Sequence, residues 1–427
     1  MHIVRKIFKT LLFALLGVFL LAAGVLVALY SPWVQDTLRE AVVRRFSSGS
    51  DMELRVRSLS LRPPLRLRAG GVALIQRGDS LMAADSVAAD VELLPLLRGE
   101  VRLDDAMLLG AYYRQGAPDS AMCMTLRAAG ARLRPASVRL SSMDINVEDA
   151  DLLGASVELL MNPDTTAPAP EASPADTSAM TIALCRARLD DFSFRMRMLP
   201  TIDSLGAHIH SGTLRDGRID MARQSITLRS MQGSGLSASY IAPDSATVAA
   251  TPVVPDSPSA SAPWTVSIRD IAFCRSAGLY TTRGVQPQPG LDFGYISVDS
   301  LQLAVHDFFN RGPEVCVPMR IGGRERCGVR LDAAGTLRVD SAALRLDSFA
   351  LSTPWTVLEF DYMMGMGDIA TDPSLPVAVN AKGHVGTPDM RLMFPAFAPW
   401  LAGLPDSGAT LDIDAGGTMG SLALNRF

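Results

Sequence analysis

Residues 296–303 read Ile-Ser-Val-Asp-Ser-Leu-Gln-Leu. The apolar side chains sit at even positions, Ile296 and Val298, then at odd ones, Leu301 and Leu303, and the change falls across Asp299-Ser300. Successive side chains of a strand point to opposite faces, so a period-two run cannot change parity and keep its face unless a residue is inserted. Asp and Ser hydrogen-bond their own backbone and favour bends. The pair therefore reads either as a bulge that keeps the apolar residues on one face or as a tight turn between two very short strands. The same switch recurs across Asp340-Ser341 and Asp347-Ser348, an irregular repetition of pattern rather than of residue identity.

Working outward, period two dominates everything after Met52, in runs such as Leu65-Arg-Leu67, Val101-Arg-Leu103, Ile145-Asn-Val147, Phe192-Ser-Phe194-Arg-Met196-Arg-Met198, Ile226-Thr-Leu228 and Leu344-Arg-Leu346. Apolar residues face one way and Arg, Asp or Ser the other, which is what a sheet with one wet face requires. Turn signals separate the runs: Asp216-Gly217 is the clearest, with Gly322-Gly323, Ala334-Gly335 and Gly416-Gly417 as weaker ones. No helix-period segment of ten residues stands out after residue 46, although Leu93–Leu97 and Pro395–Leu401 are each compatible with a turn or two of helix. The fold class expected is mostly β: an N-terminal transmembrane helix followed by an elongated, curved, repetitive sheet of antiparallel type, shaped as a groove.

Residues 11–30, LLFALLGVFLLAAGVLVALY, hold no charge and as a helix reach roughly 30 Å, the thickness of a bilayer's hydrocarbon core. Arg5, Lys6 and Lys9 precede them, so the positive-inside tendency leaves the N-terminus in the cytoplasm and sends the rest across. A cleaved signal peptide is the competing reading. Its apolar core is shorter, about 7 to 15 residues, and ends in a small-residue site, whereas this one exits into Tyr30-Ser-Pro-Trp33. An uncleaved anchor is preferred, with a short juxtamembrane helix over 31–50.

Two stretches, 162–178 and 242–263, are rich in Pro, Ala, Ser and Thr and read as extended or disordered loops. The organisation expected is thus 1–30 tip and anchor, 31–50 juxtamembrane helix, 51–161 first β block, 179–241 second and 264–427 third, with the loops as insertions in one β structure. Gly416 to Phe427 opens a new turn-then-strand pattern without closing it, as a fragment of a longer protein would.

Composition excludes several functions. Forty basic against 44 acidic residues give a net charge of −4, and 6% aromatics argue against an aromatic-rich or phosphate-backbone binder of nucleic acid. Lysine occurs only at Lys6, Lys9 and Lys382, a preference for arginine that reads as codon usage rather than chemistry. The five cysteines form no Cys-x-x-Cys pair, and no zinc site is expected. A hairpin through Gly322-Gly323 would bring Cys316 and Cys327 opposite each other, but spacing alone does not establish that their Cα atoms approach. His208-x-His210 places two imidazoles on one strand face with only Asp203 near, which suits a solvated face better than a metal. Asp104-Asp105 and Asp190-Asp191 point to opposite faces along a strand and suit turns better than a shared proton. No nucleophile or phosphate-loop motif occurs, and no catalytic residue, metal or cofactor is expected.

Tyr30-Ser-Pro-Trp-Val-Gln35, Leu59-Ser-Leu-Arg-Pro-Pro-Leu-Arg-Leu67, Asp79-Ser-Leu81 with Ala84-Asp-Ser86, and above all Val91-Glu-Leu-Leu-Pro-Leu-Leu-Arg-Gly-Glu-Val101 followed by Gly110-Ala-Tyr-Tyr113, resemble the N-terminal part of the AsmA-like superfamily, most closely its TamB (translocation and assembly module) members. The likeness covers about residues 1–160. It implies an inner-membrane-anchored periplasmic protein, not an enzyme, whose strands build a groove-like sheet. Phospholipid transport between the inner and outer membranes is the implied role, and a scaffold for outer-membrane protein assembly the alternative. The long remainder and C-terminal domain of TamB members have no counterpart in this chain.

Both readings meet on one surface. An apolar sheet face must be covered, and without helices the cover is a second sheet, the sheet's own curl or an apolar ligand such as phospholipid acyl chains. Val87, Ala89, Val91, Val101 and Leu103, with Ile296, Val298, Leu301 and Leu303, are the expected lining of such a groove; as an ordinary two-sheet sandwich they would be its core.

Overall fold

In the computed structural model, the residues described are Glu40 and 52–426 without 64, 77–78, 93–94, 96–99, 117–121, 140–141, 143, 163–179, 199–201, 244–263 and 367–371. The expected anchor at 11–30, nearly all of 31–50, all of Leu93–Leu97 but Pro95, and almost all of the two Pro/Ala/Ser-rich stretches lie outside them. Among the described residues no helix is long and apolar enough to cross a membrane.

The chain forms one long, curved, open sheet of eighteen strands. They are β1 (Met52–Arg62), β2 (Arg66–Gln76), β3 (Asp79–Val91), β4 (Glu100–Gln115), β5 (Met122–Arg139), β6 (Asp144–Met161), β7 (Thr181–Met198), β8 (Ile202–Asp220) and β9 (Ser225–Ala242). There follow β10 (Thr265–Thr282), β11 (Tyr295–Arg311), β12 (Glu314–Glu325), β13 (Arg330–Val339), β14 (Ala343–Ser352), β15 (Val357–Gly365), β16 (Pro376–Val385), β17 (Ala409–Thr418) and β18 (Ser421–Arg426). Each strand pairs with its neighbours in sequence and makes no extensive contact with any other. The helices, α1 (Thr387–Met393), a 3₁₀ turn (Pro395–Phe397) and α2 (Ala398–Leu401), fill the β16–β17 connection.

Pairing is antiparallel except at β6–β7 and β9–β10, which are parallel. These are the junctions the two Pro/Ala/Ser-rich stretches connect. A parallel neighbour must start where its predecessor started, so the chain has to return the length of a strand, which takes a dozen residues or more rather than a hairpin. Hydrogen bonding continues through both junctions.

Most strands in the first half are far longer than the period-two runs, because each is made of several runs joined by creases. In β6, Ile145 and Val147 face one side, then Ala150 and Leu152, then Ala155, Val157 and Leu159, and the extra residues fall at Glu148 and Gly154. Pairing skips at these same levels strand after strand. One line crosses the sheet through Arg57, Gly71, Asp85, Gly110, Ala129, Gly154, Asp191, His210, Gly235, Arg275 and Ser300. A second passes through Pro135, Glu148, Cys185, Asp216, Arg229, Arg269 and Asp307. Gly71, Gly110, Gly154, Asp191, Gly235, Arg275 and Ser300 on the first line, and Asp216 and Asp307 on the second, take positive φ. Gly154 shows why glycine recurs: φ is +54°, and a Cβ there would meet the Ala129 methyl group at 3.1 Å.

Asp299-Ser300 and Asp347-Ser348 are such bulges, with Ser300 and Ser348 at φ 54° and 50°, while Asp340-Ser341 lies in the β13–β14 turn. The expected turns are corrected. Asp216-Gly217, Gly322-Gly323, Ala334-Gly335 and Gly416-Gly417 all lie inside strands: Asp216 takes positive φ at a crease, and Gly323 and Gly335 leave room for Val298 and Phe349, so the residues that suit a hairpin also suit a bend or a close approach. The Cys316–Cys327 hairpin falls with them: Gly322-Gly323 continues β12, the turn comes after Glu325, and both cysteines are free.

Candidate functional site

The register sorts every strand of the long region into an apolar and a polar face. All nine expected lining residues lie on the apolar one, each half-buried: Val87 pairs with Leu108, Ala89 with Ala106, Val91 with Leu103, Val101 with Val138, and Leu303 with Phe273. Ile296, Val298 and Leu301 join the same face through Tyr280, Gly278 and Ser276.

Burial gives the direction of curvature. Apart from Cys123 near the start of β5, the buried apolar residues of the long strands sit on the apolar face within two residues of a crease: Ala84, Ala155, Leu189, Ile209 and Phe273 at the first line, Ala136, Val147, Ala150, Ala187 and Val305 at the second. The crease residues themselves, such as Asp85, Pro135, Glu148, Asp191, His210, Asp216 and Arg275, are exposed. Inner corners buried and outer corners exposed mean that the sheet folds toward its apolar face at both lines. The sheet is thus curved across its apolar face, with a floor of about six residues, roughly 20 Å, between the creases and a wall beyond each. Around the second crease Leu103, Leu133, Ile145, Leu184 and Leu214 pack on Ala136, Val147, Ala150 and Ala187, so small residues at the bend let larger ones close over it.

The two walls differ. Beyond the second crease one cross-strand row runs Val101, Val138, Ile145, Ile182, Ile219, Ile226, Val266, unbroken from β4 to β10. Beyond the first crease the rim row is Met122, Met161, Met198, and the row beneath it runs Met124, Leu159, Met196, Leu205, Tyr240, Tyr280. Tyr240 and Tyr280 stack with ring centres 5.8 Å apart.

The outer face is laced with ion pairs between neighbouring strands. Arg186 Nε reaches Asp149 at 2.8 Å, Arg132 reaches Asp105 at 2.7 Å, Arg66 reaches Asp90 at 3.2 Å, Arg229 reaches Asp216 at 3.1 Å, and Arg134 pairs with Asp151. The Arg132 guanidinium holds the Asp105 carboxyl below its usual range. His208 Nε2 lies 2.7 Å from Asp191 on this wet face, a carboxylate partner that local sequence did not supply. Both Asp doublets fall on creases, each feeding an outer-face pair. Among the described residues no cluster of His, Cys, Asp or Glu could hold a metal ion.

Comparison with protein families, curated proteins and solved structures finds no match to this chain.

Proposed function

We propose that the chain is the apolar trough of an inner-membrane-anchored, AsmA-like envelope protein that moves phospholipid between membranes, acyl chains along the lining and head groups in water at the rim. It acts without catalysis. One observation carries the reading: among the described residues the lining is continuous and uncovered. Among the described residues no helix or second sheet packs along it, and the short helices make no extensive contact with any strand. Strands β4–β11, which cross both creases, span roughly 35 Å at roughly 4.8 Å each, so their floor alone presents on the order of 700 Å². Monomeric soluble proteins rarely show an apolar patch above about 600 Å². A surface of that size calls for an occupant, and a trough without an interior polar ladder suits hydrocarbon chains.

Mass spectrometry of lipids held by the detergent-purified full chain tests this. Phospholipid should co-purify, and Val101→Asp, in the middle of a wall row, should lower it several-fold while the far-ultraviolet circular dichroism stays that of a sheet. A preparation holding a stable protein partner and no lipid would favour assembly of outer-membrane proteins instead.

A further inference from the structure

The unequal walls bear on which chains the trough accepts. Val and Ile carry two heavy atoms on Cβ, leaving few χ1 states, so the row from Val101 to Val266 is a fixed surface. Methionine has three rotatable side-chain bonds and a polarizable sulfur, and refits itself to irregular shapes. Met122, Met161 and Met198 are directly opposite one another across β5, β6 and β7, with Met124 and Met196 in the row beneath, each across from Leu159. Met122 is 48% exposed, so the cluster is open to whatever lies in the trough. Nothing about strand stability asks for methionine there, because β-branched residues suit strands better and form the facing wall.

We propose that this methionine wall is the part of the acyl-chain site that admits kinked, cis-unsaturated chains, the β-branched wall serving as a straight-edged backstop. The assignment rests on the lipid reading above. A straight saturated chain lies flat against either wall; a cis double bond bends the chain, and the wall must yield at a position that varies with the lipid. Side chains without branching at Cβ supply that yield.

The test uses the full-length protein and a fluorescent fatty acid displaced by oleic or stearic acid. The unmodified protein should take the two within about twofold of each other. Met124→Ile, Met161→Ile, Met196→Ile and Met198→Ile combined should disfavour oleic acid by about threefold, a loss of the size expected when a flexible wall is made rigid. The co-purified phospholipid should shift toward saturated chains by a similar factor. Should the quadruple variant fail to fold, the unmodified protein decides alone: a tenfold preference for stearic acid overturns the assignment. Unchanged selectivity in a folded, lipid-loaded variant overturns it too and leaves the lipid reading standing. Absence of both lipid and probe binding in the unmodified protein overturns both together.

Discussion

Strands β4–β11 are 16–19 residues long, whereas β13–β17 are 9–10. Those in the first group cross two creases and carry a floor and two walls. Those in the second stop at the level of the first crease, so one wall is missing, and the β16–β17 connection with α1 and α2 stands near its place. The depth of curvature in the proposed trough is therefore set by how many creases a strand carries, and the short region adds a further means of support. The long region relies on backbone bends and cross-strand rows. In the short region a buried side chain ties the β14–β15 connection to α1: Asp389, 2% exposed, accepts hydrogen bonds from the Thr353 hydroxyl, the Thr356 hydroxyl at 2.9 Å and the Trp355 backbone N–H at 3.1 Å. Thr356 Oγ1 in turn accepts from the N–H of Gly386, at the head of α1.

The sharpest way to break this contrast is Asp389→Ala. It leaves three donors without their acceptor and should cost about 3 kcal/mol. Hydrogen exchange should show protection lost over 387–401 and retained in β4–β11; equal loss in both regions would mean that they are not separately held. Gly154→Val attacks the other side. A β-branched residue forced to positive φ against Ala129 should cost about 2 kcal/mol in denaturant unfolding, with the damage centred on β5–β7. A silent result would remove the crease as a constraint.

Acid sharpens the comparison further. Asp105 is held low by Arg132, and Asp340 by the backbone N–H groups of Ala343 and Ala342 and then by Arg345. A carboxyl with a lowered folded-state pKa stabilises the fold above its unfolded value and loses that contribution as pH falls through the folded one. The melting temperature should thus stay level near neutrality and decline below about pH 4, with Arg132→Gln flattening the decline slightly. The smallest effect expected is Ser348→Gly: relief of positive φ, set against added freedom in the unfolded chain, should stabilise by about 0.5 kcal/mol.

Much of the architecture was legible because period two is a local signal. Ile145-Asn-Val147 and Phe192-Ser-Phe194 name their own inward faces without reference to partners, and the parity switch at Asp299-Ser300 marked a bulge or a turn, which only the register resolved as a bulge. The turns failed for an equally local reason. Asp216-Gly217 offers positive φ, and nothing within a few residues says whether the chain reverses there or only bends. The outer-face ion pairs were hidden for a related reason: Arg186 and Asp149 are 37 positions apart, and only pairing makes them a rung.

The sequence by itself determined that this is a sheet with one greasy face and one charged face, since alternation and side-chain chemistry are written residue by residue. Tertiary structure alone decided that the bends align into two creases, that β6–β7 and β9–β10 run parallel, and that methionines from three strands face a wall of valines and isoleucines. Those facts are matters of register between segments distant in sequence, and register exists only once every strand has found its neighbour.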